Sequence, residues 1–217
     1  MHPKRLEKLR NVVARRQPDL AVVLENVHDP HNIGAVLRSC DAVGILHVFI
    51  LFTEPHLKKD RLRLGKKSAA GARKWLNIHF YHDVEACVAH LRRDFDMLLG
   101  TRLGDHSQSI YNVDLTQRMA LVFGNESAGI SPALQAHMDG NFLIPQAGMV
   151  QSLNVSVACA VSVYEAYRQR LLAGRYDTET PVDEAIRTAR ADLLADYTNR
   201  HDHRLQQRSV DRASTKD

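Results

Sequence analysis

The sequence predicts an α/β protein: a mostly parallel sheet with helices on both faces, plus helical extensions at the N- and C-terminal ends. Two observations carry this. Short apolar, β-branched runs recur along the chain, and segments of helical period lie between them, the alternation that builds parallel sheets buried on both sides. The size agrees: 217 residues with 44% hydrophobic side chains suit one substantial core with appendages, and no stretch approaches the ~20 apolar residues of a membrane helix.

In chain order, residues 1–19 read as a basic helical extension, 20–174 as the core, and 175–217 as a C-terminal helical extension ending in a disordered tail. The N-terminus is charged from its first turn and lacks the apolar stretch of a secretory signal, which predicts a cytoplasmic protein. Candidate buried strands are residues 20–24 (LAVVL), 47–52 (HVFILF), 96–101 (DMLLGT), 119–123 (MALVF) and 141–144 (NFLI). Helices are expected at about 32–43, 83–93 and 131–138. The first of these has a turn before it at Asp29-Pro30, a capping side chain in Asn32 and a left-handed stop at Gly44.

Residues 151–173 read as a longer helix with Leu153, Val157, Val161 and Tyr164 spaced at three or four. Arg168 and Arg170 fall in its last turns and Gly174 beyond it. Its small residues Ser156, Ala158, Cys159, Ala160 and Ser162 suit either a tight internal contact or a subunit interface. A final helix is expected from Pro181, with its order fading after Tyr197.

Charge is segregated. Lys4, Arg5, Lys8, Arg10, Arg15 and Arg16 crowd residues 3–16 against Glu7 alone. A second block, residues 58–74, holds Lys58, Lys59, Arg61, Arg63, Lys66, Lys67, Arg73 and Lys74 against Asp60. Two such blocks form the footprint of a polyanionic partner, and Lys4, Arg5, Lys8, Arg10, Arg15, Arg16, Arg61, Lys66, Lys67 and Arg73 are the candidate RNA-binding residues.

Several site types are excluded. Gly124-Asn-Glu-Ser-Ala-Gly129 follows a strand but lacks the Lys-Ser/Thr of a P-loop, and no G-x-G-x-x-G follows any strand. His28 and His31 flank Pro30 with no cysteine or carboxylate cluster to complete a metal site, so no metal is expected. Cys40, Cys87 and Cys159 are odd in number and far apart in sequence, which fits buried thiols.

Three segments place polar side chains where a strand ends and the chain turns, the position at which open α/β sheets bind ligands. They are Asn32-Ile-Gly-Ala-Val-Leu-Arg38, Gly124-Asn-Glu-Ser-Ala-Gly-Ile130 and Ile144-Pro-Gln-Ala-Gly-Met-Val-Gln-Ser-Leu-Asn154. In the second, Gly124 would allow a ligand close to the backbone, and Glu126 could pair with an arginine from elsewhere. In the third, exposed backbone groups around Gly148 could read an adenine edge, while Ser152 and Asn154 could hold a substrate oxygen. Helix capping accounts for one of those two residues.

In this order and spacing, Asn-x5-Arg, then G-N-E-x-x-G-I, then I-P-x-x-G-x-x-x-S-L-N-x-S-V-A resemble the three motifs of the SPOUT methyltransferases of the TrmH type. The resemblance covers about residues 20–167, and the terminal extensions resemble the branch that methylates a D-loop guanosine of tRNA on its 2'-oxygen. It implies a C-terminal deep trefoil knot that forms an S-adenosylmethionine pocket, and a homodimer with the active site at the subunit interface. It also implies catalytic roles for Arg38, Asn32, Glu126, Ser152 and Asn154, and cofactor contacts from Thr101, Gly124, Ile144, Met149 and Leu153. Arg38 is the residue implied to activate the ribose hydroxyl. A free arginine is essentially always protonated, so it acts either with its proton shifted by the substrate phosphate and pocket or by positioning and polarising the hydroxyl. Two other readings stand beside this one: 2'-O-methylation of ribosomal RNA or another tRNA position, and a non-catalytic RNA-binding module of the same fold.

Overall fold

The computed structural model describes residues 2–54, 71–104, 107–150, 152–178 and 184–214, with side chains described as far as residue 200. The chain forms two compact units, residues 17–174 and a second made of residues 1–16 with 175–217.

Among the described residues, the larger unit is built on seven parallel strands in the order β3-β2-β1-β6-β4-β7-β5. β1 (Gln17–Glu25), β2 (Ile45–Leu51), β4 (Met97–Thr101), β6 (Met119–Phe123) and β7 (Gly140–Leu143) fall on the five predicted runs. β3 (Asn77–Tyr81) and the two-residue β5 (Gln108–Ser109) were not anticipated. Both lie at sheet edges, where half-exposed side chains replace the continuous apolar run of a central strand: β3 reads NIHFY and buries none of its residues fully.

Successive residues of β1 serve opposite faces. Leu20, Val22 and Leu24 join a core with Ile33, Val36 and Leu37 of α2 (Pro30–Ala42) and Cys159, Val163 and Ala166 of α5 (Val155–Leu172). Ala21 and Val23 join a second core with Cys87, Val88 and Leu91 of α3 (Val84–Asp94) and Leu134 of α4 (Pro132–Gln135). Two of the sequence-predicted helix details change here. The cap of α2 is Asp29, whose carboxylate accepts from the His31 N–H at 2.8 Å, so the Asn32 amide is released from capping. The helix expected over 131–138 is a single turn, Pro132–Gln135, started by the Ser131 hydroxyl.

The face that α5 buries also differs from the expected stripe. Val155, Cys159, Ser162, Val163, Ala166 and Arg170 point inward, while Val157 and Tyr164 are about half exposed. Apolar residues lie all round this helix, so periodicity alone does not select its inner face. Cys40 and Cys159, distant in sequence, meet between α2 and α5; the hydrogen bond to Cys40, together with burial, pushes the Cys159 thiol well above its ordinary range. Arg170, expected to be a helix-end cation, is fully buried and donates to Asp19 Oδ1 at 2.6 Å, Gln17 Oε1 at 3.1 Å, and the carbonyls of Leu115 and Gln117 at 2.9 and 2.6 Å.

In the second unit, α1 (Pro3–Val13) buries Leu9 and Val13, and α6 (Glu184–Ser214) buries Ile186, Leu193 and Tyr197. The Arg190 guanidinium donates to the Arg16 carbonyl from Nε and Nη2 at 3.2 and 3.0 Å. α6 continues to Ser214, through residues expected to form a disordered tail. The expected start of that helix at Pro181 lies outside the described residues.

Candidate active site

The three motif segments converge at the carboxyl ends of β1, β4, β6 and β7. There the second and third segments line a cavity of about 440 Å³ whose walls include Thr101, Gly124, Glu126, Ile144, Ser152 and Leu153, and the first reaches it through the hydrogen bond from Asn32 to Glu126. Ligand pockets of this kind typically span ~300–1,000 Å³, with mostly apolar walls and a few polar groups. Phe123, Phe142, Ile144, Leu153 and Val155 give the apolar wall here.

Local chemistry explains the loops. β6 ends at Phe123, and the chain turns back so that Asn125 and Gly129 bond each other's backbone, N to O, at 3.1 and 2.8 Å. The Asn125 side-chain carbonyl closes the turn by accepting the N–H groups of Ser127 and Ala128 at 2.9 and 3.1 Å. Gly124 permits a close approach, but the approaching group is the protein's own backbone: a Cβ there would overlap Gly129 and Ile130. Gly129 adopts φ +68°, a left-handed conformation that glycine takes without penalty.

At the rim, Glu126, Asn32 and Asn154 form a directed chain. Asn32 Nδ2 donates to Glu126 Oε1 at 2.7 Å, and its Oδ1 accepts from Asn154 Nδ2 at 3.2 Å. Asn154 also caps α5, its Oδ1 accepting from the Ser156 N–H at 2.9 Å and hydroxyl at 2.6 Å. One residue from each motif is thus tied to the next across 94 and 122 positions of sequence. The partner that Glu126 finds is Asn32, where an arginine had been expected.

Arg38 stands apart. It is exposed on the flank of α2, outside the cavity lining, and bonds to none of the other motif residues among those described. Met149, an expected cofactor contact, is fully exposed in a segment (145–150) exposed throughout; Gln146 of that segment lines the cavity, and Met149 is not among the lining residues. Arg16, expected to grip phosphate, is buried at 1% exposure. Lys4, Arg5, Lys8, Arg10, Arg15 and Arg73 are exposed, whereas Arg61, Lys66 and Lys67 lie outside the described residues.

Sequence reasoning missed two residues that hold the site. Asn26, in a left-handed conformation at φ 54°, accepts from the Thr53 N–H at 2.9 Å and the Asn125 side chain at 3.1 Å, tying the ends of β1, β2 and β6. The buried Glu25 carboxylate accepts the Ser131 N–H and hydroxyl at 2.8 and 2.6 Å and so fixes the start of α4. The signal was present: Glu25-Asn26 ends an apolar run with two polar residues, as Asn125-Glu126 does after β6.

With this geometry in view, the profile of the SpoU rRNA methylase family matches residues 19–164. The chain belongs to this SpoU methylase family. Two relatives bearing the name tRNA (guanosine(18)-2'-O)-methyltransferase are similar over most of its length. That of Thermus thermophilus is 40% identical across 88% of this chain and 95% of its own. That of Escherichia coli is 39% identical across 81% and 75%. Among solved structures, the Aquifex aeolicus TrmH/SpoU tRNA modifying enzyme superposes with a TM-score of 0.75 at 34% identity, covering 89% of this chain and 96% of that one. The SpoU methyltransferase AviRb of Streptomyces viridochromogenes, in complex with AdoMet, superposes at 0.62 and 29% identity, covering 70% of this chain and 57% of its own. In SpoU family terms, the cavity at the ends of β4, β6 and β7 is this chain's candidate cofactor site.

Proposed function

We infer that this SpoU family protein transfers a methyl group from S-adenosylmethionine to the 2'-oxygen of guanosine 18, in the D-loop of tRNA. The observation that carries the reading is the Glu126–Asn32–Asn154 chain at the mouth of the cavity, since it joins all three motifs at one place. Two relatives about 40% identical, carrying that activity in their names, supply the substrate.

The cavity fits the cofactor. Its apolar wall suits the adenine, and Glu126, anchored by Asn32, sets a carboxylate where a sulfonium or ammonium cation would face it. When bound, the cofactor supplies an electrophilic methyl group. Thr101, Gly124, Ile144 and Leu153 would hold it. Ser152 and Asn154, at the entrance to α5, and the N–H groups of that helix start suit a ribose or phosphate oxygen. Arg38 would hold the phosphate beside the reacting ribose and polarise its hydroxyl, a role a guanidinium fills as a fork of donors.

Because Arg38 lies outside its own chain's cavity, it would act on the cavity of a second copy. A homodimer through the outer face of α5 would place it so. Val157, Tyr164 and Leu171, spaced at seven, are 46%, 52% and 48% exposed and form the apolar row such an interface needs. The same reading includes the deep trefoil knot, supported by β7 entering the sheet between the earlier strands β4 and β5. Exposed Lys4, Arg5, Lys8, Arg10, Arg15 and Arg73 would bind the tRNA backbone, in the cytoplasm.

Mass spectrometry of nucleosides from tRNA incubated with enzyme and cofactor tests the activity. One 2'-O-methylguanosine per tRNA is expected, and none when guanosine 18 carries a 2'-deoxyribose. Equal methylation of the deoxy substrate would refute the assigned position.

A further inference from the structure

We propose that Arg102 is the cofactor-orienting residue of this chain, its guanidinium binding the α-carboxylate of the methionine part of S-adenosylmethionine. The proposal rests on the cofactor reading above. Arg102 directly follows β4, and its backbone N–H donates to the Phe142 carbonyl at 3.0 Å, which pins this position across β4 and β7 at the mouth of the cavity. Its Nη1 donates to Gln135 Oε1 at 3.0 Å, and Gln135 is itself anchored through Nε2 on the Ile130 carbonyl. Gln135 is neutral, so it aims the guanidinium without neutralising it. Among the described residues Arg102 makes no ion pair, and its remaining donors make no other hydrogen bond.

Arg102 and Glu126 are the two charged side chains lining the cavity among the described residues. The ligand carries a sulfonium and an ammonium, both cationic, and a single anion, the carboxylate. Glu126 complements the cations and Arg102 complements the anion; the reverse arrangement would set like charges together. Arg102 thus fixes the direction in which the amino-acid part leaves the cavity, while the adenine end is held by apolar contacts. None of the three motifs contains this residue.

Calorimetric titration of the full-length protein with S-adenosylmethionine and with its decarboxylated form tests the assignment. The wild type should prefer the carboxylate-bearing ligand by about tenfold, the share of one charge-assisted contact at a partly open site. Arg102→Gln should remove that preference by weakening only the carboxylate-bearing ligand, and Arg102→Lys should restore part of it. Thermal melts of the ligand-free variants serve as the folding control. Equal weakening of both ligands would mean that Arg102 merely shapes the cavity and would overturn the proposal. Unchanged cofactor binding with a raised KM for tRNA would overturn it in favour of an RNA contact. If the wild type bound neither ligand, the cofactor reading itself would fail, and the Arg102 assignment with it.

Discussion

Arg170→Met should destabilise the core by about 3–5 kcal/mol, the cost of breaking a buried ion pair on one side. The guanidinium is wholly buried and Asp19 is 5% exposed, so neither charge is solvated in the folded state. Besides Asp19 at 2.6 Å, the fork serves Gln17 and the carbonyls of Leu115 and Gln117, and so joins α5 to β1 and to the segment before β6. Methionine keeps most of the apolar stem, so the loss reports the head group. Withdrawing it strips these acceptors of a donor that water cannot easily replace, at ~1–3 kcal/mol for each group left desolvated; partial relaxation keeps the total below the sum. For a chain of this size 1 kcal/mol moves Tm by roughly 2–4 °C, so a fall of about 6–20 °C is expected. Circular-dichroism melts and urea titrations check it, with Asp19→Asn and the double variant closing a cycle. A fall below about 3 °C, or additive effects of the two single variants, would refute the idea that this pair anchors α5.

Three further outcomes follow from the geometry. Burial first, and then the charge of His79 3.1 Å away, lower the His47 pKa from its ordinary 6.5 to about 4. The fold therefore favours neutral His47, a contribution complete above pH 6.5 and lost as pH falls toward 4; it should amount to about 2–3 kcal/mol, and His47→Gln should flatten Tm against pH over that window. A steeper acid loss in the variant would contradict this. Gly124→Ala would force its Cβ into the Gly129 and Ile130 backbone, so calorimetry should show cofactor binding weakened by more than about tenfold, with a lowered Tm; native affinity would refute the fixed turn. Finally, if the site is shared across the proposed homodimer, Arg38→Ala and Glu126→Ala should each be nearly inactive, yet an unfolded-and-refolded equal mixture should regain about a quarter of wild-type methylation, because half the dimers would be mixed and each would hold one intact site. No recovery would place Arg38 on its own chain's cavity or remove it from catalysis.

Legibility in the sequence followed burial. β1, β2 and β6 are apolar on both faces and read as strands directly, whereas β3, with polar and aromatic residues at an edge, carried no comparable pattern. The three motifs were readable because their residues are fixed in order and spacing. Glu25 and Asn26 left a trace, two polar residues closing an apolar run, but their roles, like those of Gln135 and Arg102, come from partners between 5 and 106 positions away.

The sequence by itself determined the α/β class, the positions of the central strands and the three loops that would hold chemistry, since hydrophobic period and turn residues act over a few neighbouring positions. The tertiary structure decided which side chains meet. It moved the α2 cap from Asn32 to Asp29, gave the released Asn32 amide to Glu126 and Asn154, and turned α5 so that Arg170 is buried and Tyr164 is exposed. A helix apolar all round has no preferred face until the sheet and α2 claim one, and an asparagine has no fixed partner until two distant loops bring theirs to it.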